Sequence, residues 1–199
     1  MAKVRVFVDF WNFQLGWNQN VRPDANAQKT FVPISWEKLA PTLLAELPTV
    51  LGTQPGSPIN FRGVNVYASV NPQPGSKDEG LKNFLARNLS QMSGYTVHCV
   101  DRKERRSTDA SGAPTSRFVE KGVDTKIVTD LFAGAINDSY DVALLISNDA
   151  DFVPAIQTIQ ERLDRQIIHV GFRRGGDEIR ASCWGHVILD GDVSERLSG

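Results

Sequence analysis

Asp9, Asp124, Asp149 and Asp151 are the residues whose type and placement could do chemistry. Asp9 follows directly on Val4-Arg5-Val6-Phe7-Val8. Asp149 follows the apolar run Val142–Ile146 after Ser147-Asn148, and Asp151 is two residues on. Both runs read as strands, so these acids stand at carboxyl ends. Asp124 lies in the first turns of a helix predicted over Phe118–Ile136, about 100° round from Val123 and at the margin of the apolar face. Asp130 is expected to point away from Asp124 and into solvent. Carboxylates converging from three segments repel one another unless a cation sits among them. Hard divalent ions with oxygen ligands, Mg²⁺ or Mn²⁺, are the natural partners. Such ions bridge phosphate oxygens and activate water for in-line attack, so the chemistry implied is phosphodiester hydrolysis. Each acid also has a plainer reading. Asp9 suits a turn, Asp151 suits an N-cap of the following helix, and Asp124 suits the positive end of a helix dipole.

The elements that must position these acids alternate. Strands are predicted at Val4–Val8, Asn60–Ala68, Tyr95–Val100, Val142–Ile146 and Ile167–Gly171, with an edge strand at His186–Leu189. Helices are predicted from Ser35 as N-cap, over Lys77–Ser93, Phe118–Ile136 and Phe152–Leu163, and a short one at Asp177–Ser182. Val142–Ile146 is apolar throughout, as a strand buried on both faces requires. Alternation of this kind gives βαβ units, a parallel sheet and helices on both faces. The ligand site of such a sheet lies beyond its carboxyl ends. The expected fold class is therefore α/β, a three-layer α/β/α sandwich with a mostly parallel central sheet. The polar stretches at residues 16–35 and 101–117 read as loop insertions, the second one mobile.

The chain of 199 residues suits one domain spanning 1–199. A hydrophobic share of 41% and a charged share of 23% are ordinary for a globular protein and argue against overall disorder. Cys99 and Cys183 are too few for a disulfide scaffold. No apolar run reaches the roughly 20 residues of a membrane span, and charges interrupt the first apolar run, so a cytoplasmic setting is expected. A net charge of -1 argues against a globally basic nucleic-acid binder while leaving local patches open.

Val8-Asp9-Phe10-Trp11-Asn12, Lys121-Gly122-Val123-Asp124 and Ser147-Asn148-Asp149-Ala150-Asp151-Phe152-Val153-Pro154 together resemble the three motifs of the NYN domain, a PIN-like nuclease of the LabA type. The similarity runs from about Lys3 to about Leu189. It implies a PIN-like sheet of order 3-2-1-4-5 and metal-dependent ribonuclease activity. It also implies an acidic centre in which Asp9, Asp124, Asp149 and Asp151 hold Mg²⁺ or Mn²⁺. Asn12 would position Asp9 or a substrate phosphate, and Ser147 would orient its turn. Asn148 stands where many relatives carry glycine, and asparagine tolerates the left-handed conformation such a turn would use.

A negative centre needs positive ground to receive a polyanion. Arg102, Lys103, Arg105 and Arg106 cluster after the third strand, with Arg117, Lys121 and Lys126 nearby, and Arg173 and Arg174 follow the fifth strand. These are candidates for backbone contacts with RNA, single-stranded or structured, and DNA stays open as a substrate. The plainer reading is a solvated loop partly paired with Asp101 and Glu104. Trp11 is a candidate for stacking on a base, whereas Phe13 suits the core, and His98 and His169 read as structural. Three functions compete. They are a metal-dependent endoribonuclease, a non-catalytic RNA-binding regulatory protein of the same fold, and a phosphohydrolase with Asp9 as nucleophile. The last ranks low because such enzymes want Asp-x-Asp after the first strand, and position 11 is Trp.

Overall fold

The computed structural model describes residues 1–21 and 31–198. A six-stranded parallel sheet of order β3-β2-β1-β6-β7-β8 forms its centre. These strands are β1 (Ala2–Asp9), β2 (Ile59–Val70), β3 (Tyr95–Asp101), β6 (Val142–Ile146), β7 (Gln166–Gly171) and β8 (Gly185–Ile188). Counted along the main sheet alone, this is the expected 3-2-1-4-5 order with the additional edge strand. The small antiparallel ribbon β4 (Lys103–Thr108) and β5 (Pro114–Val119) stands apart from it. The helices are α1 (Phe10–Val21), α2 (Trp36–Leu51), α3 (Glu79–Arg87), α4 (Val123–Ile136), α5 (Val153–Leu163), α6 (Asp177–Ser182) and α7 (Gly191–Leu197). Among the described residues, no helix is long and apolar enough to cross a membrane.

Strand alternation sorts the side chains between two cores. Val4, Val6 and Val8 of β1, Val64, Val66 and Ala68 of β2, and Leu144 of β6 join α1 and α2 in one buried cluster. Phe7, Tyr67, Ala143 and Leu145 join α4 and α5 in the other. Arg5 and Asp9 share the parity of Phe7, so both belong to the α4 face. On β2 a bulge secures the same result. Val4 pairs with Phe61 but Val6 pairs with Val64, so Arg62 and Gly63 together oppose Arg5. The extra residue reverses the parity of everything after it. Ile59 and Phe61 pack toward the α1–α2 layer, whereas beyond the bulge Tyr67 faces α4.

Three regions depart from the sequence reading. Residues 16–21 continue α1 rather than forming a loop, because Trp17 and Asn18 are buried and the helix has apolar cover to rest on. The rest of that expected insertion up to residue 30 lies outside the described residues. The stretch expected as a mobile loop at 101–117 is the hairpin β4–β5, joined by an Asp109 turn whose carboxylate accepts from Ser111 and Ala113. Residues 118–119 accordingly end a strand, and α4 begins only at Val123 behind Gly122 at φ 96°. The short helix α7 follows the last strand and buries Leu197, with no expectation to precede it.

Gly63 occupies φ 107°, and a Cβ there would stand 2.7 Å from the Gly94 carbonyl oxygen. Gly75 at φ 71° has nothing within 4 Å of its would-be Cβ. Gly75→Ala should therefore cost about 1–2 kcal/mol for the left-handed backbone alone. Gly63→Ala should cost more, by about 1–3 kcal/mol of added strain. Urea unfolding of the two variants checks the ordering.

Candidate active site

Two neighbouring strands end side by side at the centre of the sheet, and their following turns are stitched together. α1 starts at once after β1, and the Asn12 N–H donates to Asp9 Oδ1 at 3.3 Å. After β6 the buried Ser147 hydroxyl donates to Asp9 Oδ2 at 3.1 Å and accepts from the Asp149 N–H at 3.2 Å. Asn12 Oδ1 accepts from the Asn148 N–H at 2.9 Å. Asn12 and Ser147 thus perform the positioning that the motifs suggested, and both act on Asp9 or its turn.

Asp149 Oδ1 accepts from the Asp151 N–H at 2.9 Å and so caps the single turn Ala150–Phe152. The cap expected at Asp151 therefore belongs to Asp149, and Asp151 is exposed at the rim. Asp124 sits half-buried in the first turn of α4. Asn148 does not use a left-handed backbone. Its side-chain oxygen lies 3.1 Å from His169 Nε2, and a Cβ on Gly171 or Gly176 would strike that oxygen at 2.7 or 2.5 Å. Those two glycines make room for the longer side chain.

Burial sets the electrostatics. Asp9 is 6% exposed. Desolvation pushes its carboxyl up to about 7, against the lowering pull of the Asn12 and Ser147 hydrogen bonds, with Asp124 and Glu120 raising it further. Asp124 is also held above the usual carboxylate range, first by desolvation and then by the charges of Asp149, Glu120 and Asp151. The four acids therefore sense one another, with Asp124 at the hub. Among the described residues none of them forms an ion pair. Glu120 is a fifth member that the sequence reading missed. It accepts from the Ser69 hydroxyl at the end of β2. Its place just before Lys121-Gly122 in the second motif was the available signal.

Among the described residues, no three His, Cys, Asp or Glu side chains converge into a ready metal cage. Mg²⁺ keeps several waters and is held by one or two carboxylates, so it needs no such cage. Hard oxygen donors carrying unneutralised charge fit Mg²⁺ or Mn²⁺ in kind.

The basic candidates divide. Arg102 is committed: Nε donates to Ser69 Oγ at 3.2 Å, a terminal nitrogen lies 3.1 Å from Asp78, and the guanidinium stands 5.2 Å over the Trp11 ring. Trp11 in turn donates to the Ser69 carbonyl at 2.7 Å. The two form a wall beside the acids, and Arg102 covers one ring face. Arg173 pairs with Asp190. Lys121, Arg105, Arg106 and Arg174 are exposed. Asp130, expected in solvent, has a side chain only 19% exposed, and it accepts from Tyr67 and Lys126 on the sheet side of α4. Six residues along a helix turn through about 600°, or 240° net, which still leaves a side chain in reach of a wide sheet.

A family model described as NYN domain matches residues 3–190. A search of curated proteins finds no match. Among solved structures, the chain resembles a protein of unknown function from Vibrio parahaemolyticus, at 19% identity and a TM-score of 0.57 over 96% of this chain and 94% of that one. That likeness concerns the fold.

The raised carboxyl of Asp9 has a consequence for stability. Its folded value of about 7 lies above its ordinary 3.8, so the folded state holds a proton that the unfolded state releases. In EDTA, the wild type should therefore lose stability relative to Asp9→Asn as pH rises between those values, by about 1.4 kcal/mol per pH unit at most. Below pH 4 and above pH 8 the two curves should run parallel. Thermal melts across pH 3.5–8.5 check this.

Proposed function

We propose that this chain, which belongs to the NYN domain family, is a metal-dependent endoribonuclease that hydrolyses phosphodiester bonds of RNA at the Asp9 edge. The family is PIN-like and of nuclease type. The observation that carries the reading is the uncompensated acid group. Asp9 is buried at the end of a central strand without a counter-ion, and Asp124, Asp149, Asp151 and Glu120 stand around it. A group so arranged is poorly stable until a cation joins it.

Asp9, Asp124, Asp149 and Asp151 would hold Mg²⁺ or Mn²⁺, which when bound would neutralise the scissile phosphate and lower the pKa of the attacking water. The protein supplies the rest. The Ser147 hydroxyl and the Asn12 N–H fix the two oxygens of Asp9. The Asn12–Asn148 bond locks the turn of β1 against the turn of β6, so Asp9 and Asp149 keep one spacing. Trp11 and Arg102 close one flank. Fixing acids before the reaction is the main service a fold can offer phosphoryl chemistry.

The β4–β5 ribbon supports RNA as the polyanion. Its pairing puts Lys103, Arg105, Ser107, Thr115, Arg117 and Val119 on one face, and Arg105 lies directly opposite Arg117. That face carries cations and no acid, whereas Glu104 faces the other side with Arg106. Like charges in cross-strand register destabilise a hairpin unless a partner neutralises them. This ribbon is also the observation that favours the second reading, an RNA-binding regulator. A cationic face separate from the acids can bind without cleavage.

Labelled single-stranded RNA and DNA, incubated with Mg²⁺, Mn²⁺ or EDTA, test the reading. RNA cleavage should require metal and fall by at least about 100-fold in Asp9→Asn and Asp149→Asn, the scale of losing one charge-stabilising group. Ser147→Ala should lose about 10- to 100-fold. Cleavage unchanged in all variants would remove the assignment. RNA bound by wild type and Asp9→Asn alike, with no cleavage, would favour the regulator. In parallel, Arg105→Gln with Arg117→Gln should weaken RNA binding. The slope of log affinity against log salt should flatten by about 1–1.5, and filter binding at several salt concentrations measures it.

A further inference from the structure

Below Asp9, the α4 face of the sheet carries polar residues that the acid site leaves unused. Arg5 of β1, Asn65 of β2, and Thr96 and His98 of β3 line an open cavity of about 320 Å³, with Lys126 and Asp130 of α4 as the opposite wall. Arg5 precedes Asp9 by four residues, about 13 Å along the strand, so this is a separate place on the same face.

Most polar groups of the cavity are already satisfied. Asn65 Nδ2 donates to the Tyr67 hydroxyl at 3.1 Å, which donates to Asp130 Oδ2 at 2.9 Å. Lys126 Nζ donates to Asp130 Oδ1 at 2.5 Å. His98 stacks on Tyr67 with centroids 4.8 Å apart, and its Nε2 lies 3.7 Å from Asp130. Arg5 is the exception. Three other half-buried arginines each have an aspartate: Arg102 has Asp78, Arg165 has Asp138 and Asp141, and Arg180 has Asp177. Arg5 has no carboxylate in ion-pair reach among the described residues. It makes one 3.3 Å bond to Asn65 Oδ1, and its buried Nε has no partner. A guanidinium taken out of water with its fork unused is costly.

We propose that this cavity is a second, anion-specific site that binds a small phosphate-bearing ligand, with Arg5 as its anchor and Lys126 as the cation on the facing wall. A tetrahedral anion can meet a floor guanidinium and a wall ammonium together, and the guanidinium fork matches two of its oxygens. Asp130 does not oppose the anion with a free charge, since Tyr67 and Lys126 occupy its oxygens. The cavity is at the lower end of small-molecule sites, large enough for a phosphate with a nucleoside attached. The proposal does not depend on the nuclease reading, since neither Arg5 nor Lys126 belongs to the acid group.

The test uses the full chain in EDTA, at ionic strength held constant with chloride. Inorganic phosphate and adenosine 5′-monophosphate should each raise the melting temperature saturably, and adenosine should not. Arg5→Gln should abolish the response, and Lys126→Gln should raise the half-saturating concentration about tenfold, the worth of one charged hydrogen bond. Arg87→Gln, exposed on α3, should respond as wild type. If Arg5→Gln fails to fold, Lys126→Gln, on the partly exposed helix wall, carries the test. No rise beyond the chloride control, or an unaltered response in Lys126→Gln, would overturn the proposal. Because no metal is present and no cleavage is read, failure here leaves the nuclease assay untouched.

Discussion

A carboxylate taken out of water without a cation beside it strains against its surroundings, and Asp9 at the end of β1 is in that position. Neutral donors can hold such a group in place but cannot cancel its charge. Here the Ser147 hydroxyl and the Asn12 N–H occupy one oxygen each. The site therefore needs β1 and β6 to be adjacent, to end at the same level, and to turn away immediately. A parallel sheet with its two innermost strands side by side meets all three requirements. The hydrogen bond between the Asn12 side chain and the Asn148 backbone then fixes the two turns to each other. The remaining acids arrive from further off, Asp124 from α4 and Glu120 from the segment leaving the ribbon, and they add repulsion.

Much of this architecture was legible because periodicity and burial agree. Val142–Ile146 is apolar at every position and is buried on both faces of the sheet. The parallel order and the carboxyl-edge location of the acids followed from alternating strands and helices. The ribbon was not legible. Lys103–Thr108 and Pro114–Val119 are polar and almost wholly exposed, so no apolar alternation marks them as strands. Their pairing is held by backbone bonds that leave little imprint on composition. The start of α4 was misplaced for a related reason. Phe118 and Val119 extend the apolar pattern backwards, and only the positive φ of Gly122 marks the true boundary.

Site residues were legible by type and less so by commitment. The motif acids stand where expected, yet Arg102 and Trp11 proved to be bound to Ser69 and to each other. A sequence shows that an arginine is near a site but not which carboxylate has already claimed it, here Asp78. Glu120 was overlooked because nothing local distinguishes it from a solvated loop acid. Asn148 shows the converse. Its side chain lies against Gly171 and Gly176, two positions remote in sequence whose missing Cβ atoms leave it room.

The bulge at Arg62–Gly63 makes strand length, rather than residue type, the quantity that β2 must conserve. Individual side chains beyond it can be exchanged one at a time, each with a local cost. Loss of one residue at that point would instead act like a reading-frame error in space. Asn65, Tyr67 and Ser69 would be carried to the valine-lined layer, and Val64, Val66 and Ala68 to the polar one, with every hydrogen bond of the ladder still available. Insertions and deletions in this strand should therefore be far rarer among related chains than substitutions, and should come in pairs of residues.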